Sequence, residues 1–260
     1  VILAKIGACV RHVTLPALLL ALVGCTNLPT VPDAPPVTPP AAVAKVPPRI
    51  GLALGGGAAR GFAHVGVIEV LEENGIKPDL VVGTSAGSLV AALYASGRNA
   101  KQLQQVATTM DESAFADWTL PLFNRGVLRG EALARYVNQQ VNNRLIENMA
   151  MPLGIVATDL NTGQGVLFRR GDTGTAVRAS SSVPAVFVPV KIGNTDYVDG
   201  GLVSPVPVRY ARQMGAEVVI AVDISSAPEG NSSADPIHVL LQTFAIMGKS
   251  INGWELKDAD

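Results

Sequence analysis

Three short clusters in this sequence hold residue types suited to acyl chemistry. Gly83-Thr84-Ser85-Ala86-Gly87 is a G-x-S-x-G motif. Asp79-Leu80-Val81-Val82 before it reads as a short buried strand, and Ser88 to Ala95 after it as an apolar helix. A serine on such a turn is forced out of the packed layer. Its hydroxyl then stands at a helix N-terminus, where backbone N–H groups stabilise a developing anion. Gly83, Thr84, Ala86 and Gly87 are small enough for strand and helix to approach closely. The second cluster follows the strand-like run Arg49 to Leu54. There Gly55-Gly56-Gly57-Ala58-Ala59-Arg60-Gly61 opens a helical pattern that continues to Asn74. Such a loop presents bare N–H groups that can form an oxyanion hole. The third is Asp199-Gly200-Gly201, after the strand Thr195 to Val198. Asp-Gly alone is an ordinary turn signal, but two glycines at a strand end let the aspartate approach another backbone at little steric cost.

A glycine loop between strand and helix also suits a phosphate. The P-loop pattern fails here, because Phe62-Ala63 stands where Lys and Ser/Thr belong. The dinucleotide fingerprint fails too, since its third glycine would fall at Arg60.

In this order, the glycine loop, G-x-S-x-G and D-G-G resemble the patatin-like phospholipase family, with bacterial members most alike in Leu54 to Val67. The resemblance runs from about Arg49 to about Val222. It includes Ala157-Thr158-Asp159-Leu160 and Ala179-Ser180-Ser181-Ser182-Val183-Pro184. It implies a three-layer α/β sandwich whose mostly parallel central sheet has helices on both faces. It also implies a Ser–Asp dyad acting on acyl esters of lipids, with Ser85 as nucleophile and Asp199 as base. The oxyanion hole would come from Gly55, Gly56 and Gly57, with Ala58, Arg60 and Gly61 beside them. Arg60 would fix that loop or bind a phosphate head group. No cofactor and no metal is expected.

A Ser-Asp-His triad of the α/β-hydrolase type is the rival mechanism. The chain order Ser85, then Asp199 or Asp223, then His238 permits it. There are only three histidines. His12 falls in the leader, His64 precedes the serine, and His238 lacks a loop motif. Packing or surface roles are expected for His64 and His238. Acyl transfer to an alcohol on the same dyad, and an idle lipid-binding module, are the other readings.

Composition agrees with a lipid enzyme. The 260 residues are nearly half apolar and the formal charge is −1, which gives no electrostatic basis for nucleic-acid binding. Lys5 and Arg11 precede an apolar run, Val13 to Val23, of signal-peptide length. Leu22-Val23-Gly24-Cys25 resembles a bacterial lipobox. Residues 1–24 are therefore expected to be a lipoprotein signal and Cys25 a lipidated N-terminus. Residues 25–48 would be a proline-rich extended tether, and 49–260 the catalytic domain. The expected place is the cell envelope, and the outer membrane in a Gram-negative source. The expected partner is membrane lipid or a fatty-acyl ester.

Further along, helices are expected at 100–110, 130–141, 173–182, 207–214 and 236–254. Strands are expected at 153–159, 166–169, 186–192, 195–198 and 218–223. Residues 111–129 read as irregular. Phe115, Trp118, Leu120, Leu122 and Phe123 there suit either a lid over the site or a core beneath a loop. If the lipobox is used, metabolic labelling with a tagged fatty acid marks the wild-type protein and not Cys25→Ser; an unlabelled wild type rules the anchor out.

Overall fold

Short apolar runs flanked by turn residues build the centre of this chain. The computed structural model describes residues 47–110, 117, 126–225 and 236–260. The signal segment, Cys25 and the tether up to residue 46 lie outside the described residues. So do Phe115, Trp118, Leu120, Leu122 and Phe123. The strands are β1 (Ile50–Leu54), β2 (Leu80–Thr84), β3 (Gly126–Leu128), β4 (Leu153–Asp159), β5 (Gly165–Phe168), β6 (Ala185–Phe187), β7 (Val190–Ile192), β8 (Thr195–Asp199) and β9 (Val218–Val222). The helices are α1 (Ala63–Glu73), α2 (Ala86–Ala95), α3 (Ala100–Thr109), α4 (Glu131–Gln140), α5 (Thr173–Ser180), α6 (Val208–Gln213) and α7 (Pro236–Glu255).

The main sheet runs β7-β8-β4-β2-β1-β9, with β5 also paired to β4. Its centre is parallel and its flank antiparallel. Side chains alternate between two cores, as strand geometry requires. Leu52, Leu54 and Val81 face a core shared with helices α1 to α5. Ala53, Leu80 and Val82 face the other, with Val208, Tyr210 and Ala211 of α6. Both faces of β2 are thus buried, as expected for a central parallel strand. The architecture is the expected three-layer α/β sandwich.

Two local expectations need correction. The single strand expected over 186–192 is two. β6 pairs with β3 in a separate small sheet, whereas β7 pairs with β8. Pro189 separates them because it cannot donate to a ladder, and Ala185 has a φ of 67°. Residues 126–128 are also strand rather than irregular. Their pairing with β6 is tertiary and has no local period to announce it. Asp117 accepts from the N–H groups of Gly130 (2.7 Å) and Ala132 (2.8 Å). Its carboxylate thereby satisfies donors left open at the start of α4.

Register brings the motifs together. Thr84, the last residue of β2, lies opposite Val156 of β4. Asp199, the last residue of β8, lies opposite Ala157. At Ile155 to Thr158 the other edge of β4 is taken by β5. β8 therefore continues along the edge that β2 leaves, and the two strands end against each other. The turn out of β2 is tight because α2 presses on the end of β1. A Cβ on Gly87 would run into the Leu54 and Gly55 carbonyls, and backbone there cannot yield. Gly87→Ala is expected to cost about 3 kcal/mol or more. Gly66→Ala, at an exposed site in α1 with open space around it, should instead stabilise by about 0.5–1 kcal/mol. Urea denaturation of both variants checks the contrast.

Candidate active site

Ser85 has φ 53° and ψ −124° at the N-cap of α2, a backbone that non-glycine residues seldom adopt. Several bonds hold it there. Its N–H donates to Ser180 Oγ at 2.9 Å, and that hydroxyl donates in turn to the Val156 carbonyl. Its carbonyl accepts from Ser88 N–H (2.8 Å) and Ser88 Oγ (2.6 Å). The buried Thr84 hydroxyl donates to the Ser204 carbonyl at 2.9 Å. Gly83 and Thr84 thus finish β2, while Ala86 and Gly87 begin α2.

Asp199 is only 6% exposed. Its backbone is fixed by bonds from its N–H to Ser182 O (2.9 Å) and from Thr158 Oγ1 to its carbonyl (2.8 Å). Oδ1 accepts from Gly201 N–H at 2.7 Å. Oδ2 is buried and makes no complete hydrogen bond. Burial pushes this carboxyl up to about 6, against the downward pull of the Gly201 N–H and the Ser85 hydroxyl. The Ser85 hydroxyl is thus the side chain that lies beside a carboxyl of raised proton affinity. Gly200 shapes the turn through its carbonyl, which accepts from Val203 and Ser204 N–H at 3.1 and 2.9 Å.

The glycine loop divides its duties, which narrows the expected oxyanion set. Gly55 N–H donates to Val222 O (3.0 Å) and Gly56 N–H to Pro205 O (2.9 Å). These two donors pin the loop and are not free to receive an anion. Among the described residues, the N–H groups of Gly57 and Ala58 have no acceptor. The loop lies against the serine: a Cβ on Gly56 would fall 3.1 Å from Ser85 Cβ. Arg60 Nε donates to Ile224 O at 2.7 Å, tying the loop to the segment after β9. Gly61 is buried.

The histidines stand elsewhere. His64 is fully buried, and its Nε2 donates to the Gly55 carbonyl at 2.8 Å. Burial lowers its pKa, so the ring stays neutral and serves the loop. His238 lines neither cavity that reaches Ser85. Asp223 accepts from Ser225 N–H (2.8 Å) and Asn252 Nδ2 (3.2 Å) rather than from a histidine.

Two cavities meet at Ser85, with Ala58 and Val183 bordering both. One, of about 520 Å³, is walled by Leu89, Val90, Val106 and Phe187 and is largely apolar. The other, of about 220 Å³, holds Asp199 and is roofed by Leu241, Phe244 and Gly248 of α7. The sequence placed a final helix at α7 but did not connect it with the site, since its apolar spacing reads the same over any core. Ser180 lay within a segment singled out by resemblance, but its bond to the elbow had no sequence signal.

A family model described as patatin-like phospholipase matches residues 52–212. An uncharacterized NTE family protein of Mycobacterium tuberculosis is 35% identical over 196 residues, covering 70% of this chain and 51% of that protein. Patatin-like phospholipase domain-containing protein 6 of Homo sapiens is 35% identical over 216 residues, covering 80% of this chain and 15% of that protein. The chain thus spans about half the length of the mycobacterial relative and a smaller share of the human one. Among solved structures, VipD of Legionella pneumophila aligns with a TM-score of 0.49 at 17% identity, covering 60% of this chain and 46% of that one.

The raised Asp199 carboxyl has a consequence for stability. The folded state holds this proton more tightly than the unfolded chain, so stability from this group is present at low pH. It is lost as pH rises through about 6. Ionised Asp199 therefore weighs against the fold by about 3 kcal/mol above that pH. Asp199→Asn should melt higher, relative to wild type, at pH 8 than at pH 4. Thermal unfolding at the two pH values checks this, and an equal offset at both contradicts it.

Proposed function

This chain belongs to the patatin-like phospholipase family, and we propose that it cleaves acyl esters of lipids with a Ser85–Asp199 dyad. The observation that carries this reading is the buried Asp199 carboxylate, raised to about 6, sharing one cavity with the elbow residue Ser85. Above that pH the carboxylate is ionised and takes the Ser85 proton through Oδ2 as Oγ attacks the ester carbonyl. Gly201 holds Oδ1 and so keeps Oδ2 turned to its task. The N–H groups of Gly57 and Ala58, at the start of a helical turn, receive the oxyanion. Collapse of the tetrahedral intermediate breaks the ester C–O bond, and the proton on Asp199 passes to the leaving alcohol. Water, deprotonated by Asp199, then releases the acyl group from Ser85.

The larger apolar cavity suits the acyl chain, because burial there removes hydrocarbon from water. The smaller cavity beneath α7 lies on the Asp199 side and suits the alcohol portion, which must receive the proton. Lipid anchoring through Cys25 would hold the domain beside such substrates.

Product analysis tests the reading. Protein lacking residues 1–25 is incubated with phospholipid, lysophospholipid and a short-chain ester. Free fatty acid is expected, and acyl transfer to an added alcohol would point to the acyltransferase instead. Ser85→Ala should lose at least about a thousandfold in kcat with its melting temperature close to wild type, and His64→Ala or His238→Ala should not reproduce that loss. Substantial turnover by Ser85→Ala, or a His238→Ala variant equally inactive, sinks the dyad. No turnover of any ester by the wild type would favour an idle binding module.

A further inference from the structure

Glu255, the last residue of α7, lies beyond the span matched by the family model. It is nevertheless buried, at 8% exposure. Both carboxylate oxygens accept from the Ser204 hydroxyl, at 2.6 and 2.8 Å, and Arg209 Nε of α6 lies 3.2 Å from Oε1. Ser204 is itself fully buried. Its main chain touches two of the catalytic clusters. The Ser204 N–H donates to Gly200 O of the D-G-G turn at 2.9 Å. Its carbonyl accepts from Thr84 Oγ1, next to the nucleophile, also at 2.9 Å. The following carbonyl, of Pro205, accepts from Gly56 of the glycine loop at 2.9 Å. Three separate catalytic segments are thus tied to one dipeptide, and the side chain of that dipeptide is gripped by one carboxylate.

We propose that Glu255 is a positioning residue that sets Ser85, Asp199 and the glycine loop in register through Ser204-Pro205. The inference rests on the Ser85–Asp199 reading and adds to it a contribution from α7. A buried carboxylate is a costly way to fasten a helix, since its desolvation often cancels its attraction to a partner. It is an effective way to fix a hydroxyl, because a charge-assisted bond is short and directional. α7 has a second attachment in Asn252 to Asp223, so weakening Glu255 leaves the helix another hold on the sheet. The groups facing Glu255 are Ser204, Arg209, Asp258 and the Val206 backbone. Burial pushes its carboxyl up to about 7; Ser204, Arg209 and Val206 draw it down and Asp258 pushes it further up. The ionised form that grips Ser204 and pairs with Arg209 is therefore lost as pH falls through about 7. Asp199 gains its proton nearer 6. Ser85 reactivity should depend on both ionisations at its acid side.

The test measures the rate at which a fluorophosphonate probe labels Ser85, from pH 5 to pH 9, beside thermal unfolding. Glu255→Gln is expected to label about tenfold more slowly than wild type at pH 8, because small misplacement of a reacting group is expensive. Its acid limb should show one ionisation where wild type shows two. Labelling within twofold of wild type, or a slower rate with the two-ionisation limb retained, overturns the proposal. Should Glu255→Gln fail to fold, Ser204→Ala takes its place, since it removes the gripped hydroxyl and leaves the Glu255–Arg209 pair. A wild-type rate in Ser204→Ala then overturns the proposal. If wild-type protein is not labelled at Ser85 at all, the dyad reading fails first and this inference falls with it.

Discussion

The backbone at Ser85 is the constraint on which the rest of the site depends. A serine at φ 53° is held off its preferred conformations at a cost of about 1–3 kcal/mol. The conformation persists only because its surroundings over-determine it. Its N–H and its carbonyl are both bonded, to Ser180 and Ser88. Ser180 passes the restraint to the Val156 carbonyl of β4. Thr84, one residue before, is tied to Ser204. The backbone that carries the hydroxyl is therefore held by β4, α2, α5 and the 200–205 turn together. Close packing follows from the same sharp turn: α2 meets the end of β1 at Gly87, and the glycine loop lies on the Ser85 side chain at Gly56.

The switch from parallel to antiparallel pairing on β4 supplies the second half of the site. β2 runs with β4 and β8 runs against it, on the same edge. Two C-terminal strand ends therefore meet head to head at Val156-Ala157. Each chain must leave the sheet there, one into α2 and the other into the short helical turn Gly200–Leu202. At the second exit Gly201 N–H is spent on the Asp199 carboxylate, and Gly57 and Ala58, in the loop that leaves β1, line the same cavity. An all-parallel sheet would have sent the second strand end to a neighbouring edge, away from the serine.

Much of this was legible in the sequence because it is local. The elbow, the glycine loop and the Asp-Gly-Gly turn each need particular small residues at fixed offsets, and those offsets are visible without a structure. The parallel strands β1, β2, β4 and β9 are apolar runs of ordinary length, and they fall within a residue or two of their expected bounds. What was hidden is tertiary. β3 and β6 are three residues each and form only because they find one another. Which loop donors stay open was not readable either. Gly55 and Gly56 look like any other donors until Val222 and Pro205 are seen to occupy them. Glu255 gave no signal, since a glutamate at the end of an amphipathic helix is expected in solvent.

The absence of a catalytic histidine in the proposed reaction has an electrostatic explanation. An ordinary carboxylate near 4 is too weak a base for a serine hydroxyl, whereas imidazole near 6.5 is the usual choice at neutral pH. Burial of Asp199 lifts its carboxyl to about 6, close to imidazole in proton affinity and still ionised at neutral pH. One hydrogen bond, from Gly201, is enough to orient it without returning the value to normal. A second backbone donor to Oδ2 would stabilise the charge and cancel the gain. In the proposed reaction, burial together with the unpaired Oδ2 would let a carboxylate take the histidine's part. It also explains why His64 is free for a structural task, holding the Gly55 carbonyl from a position where charging is disfavoured. The same burial makes the ionised fold less stable, so the basicity of Asp199 is drawn from the stability of the surrounding core.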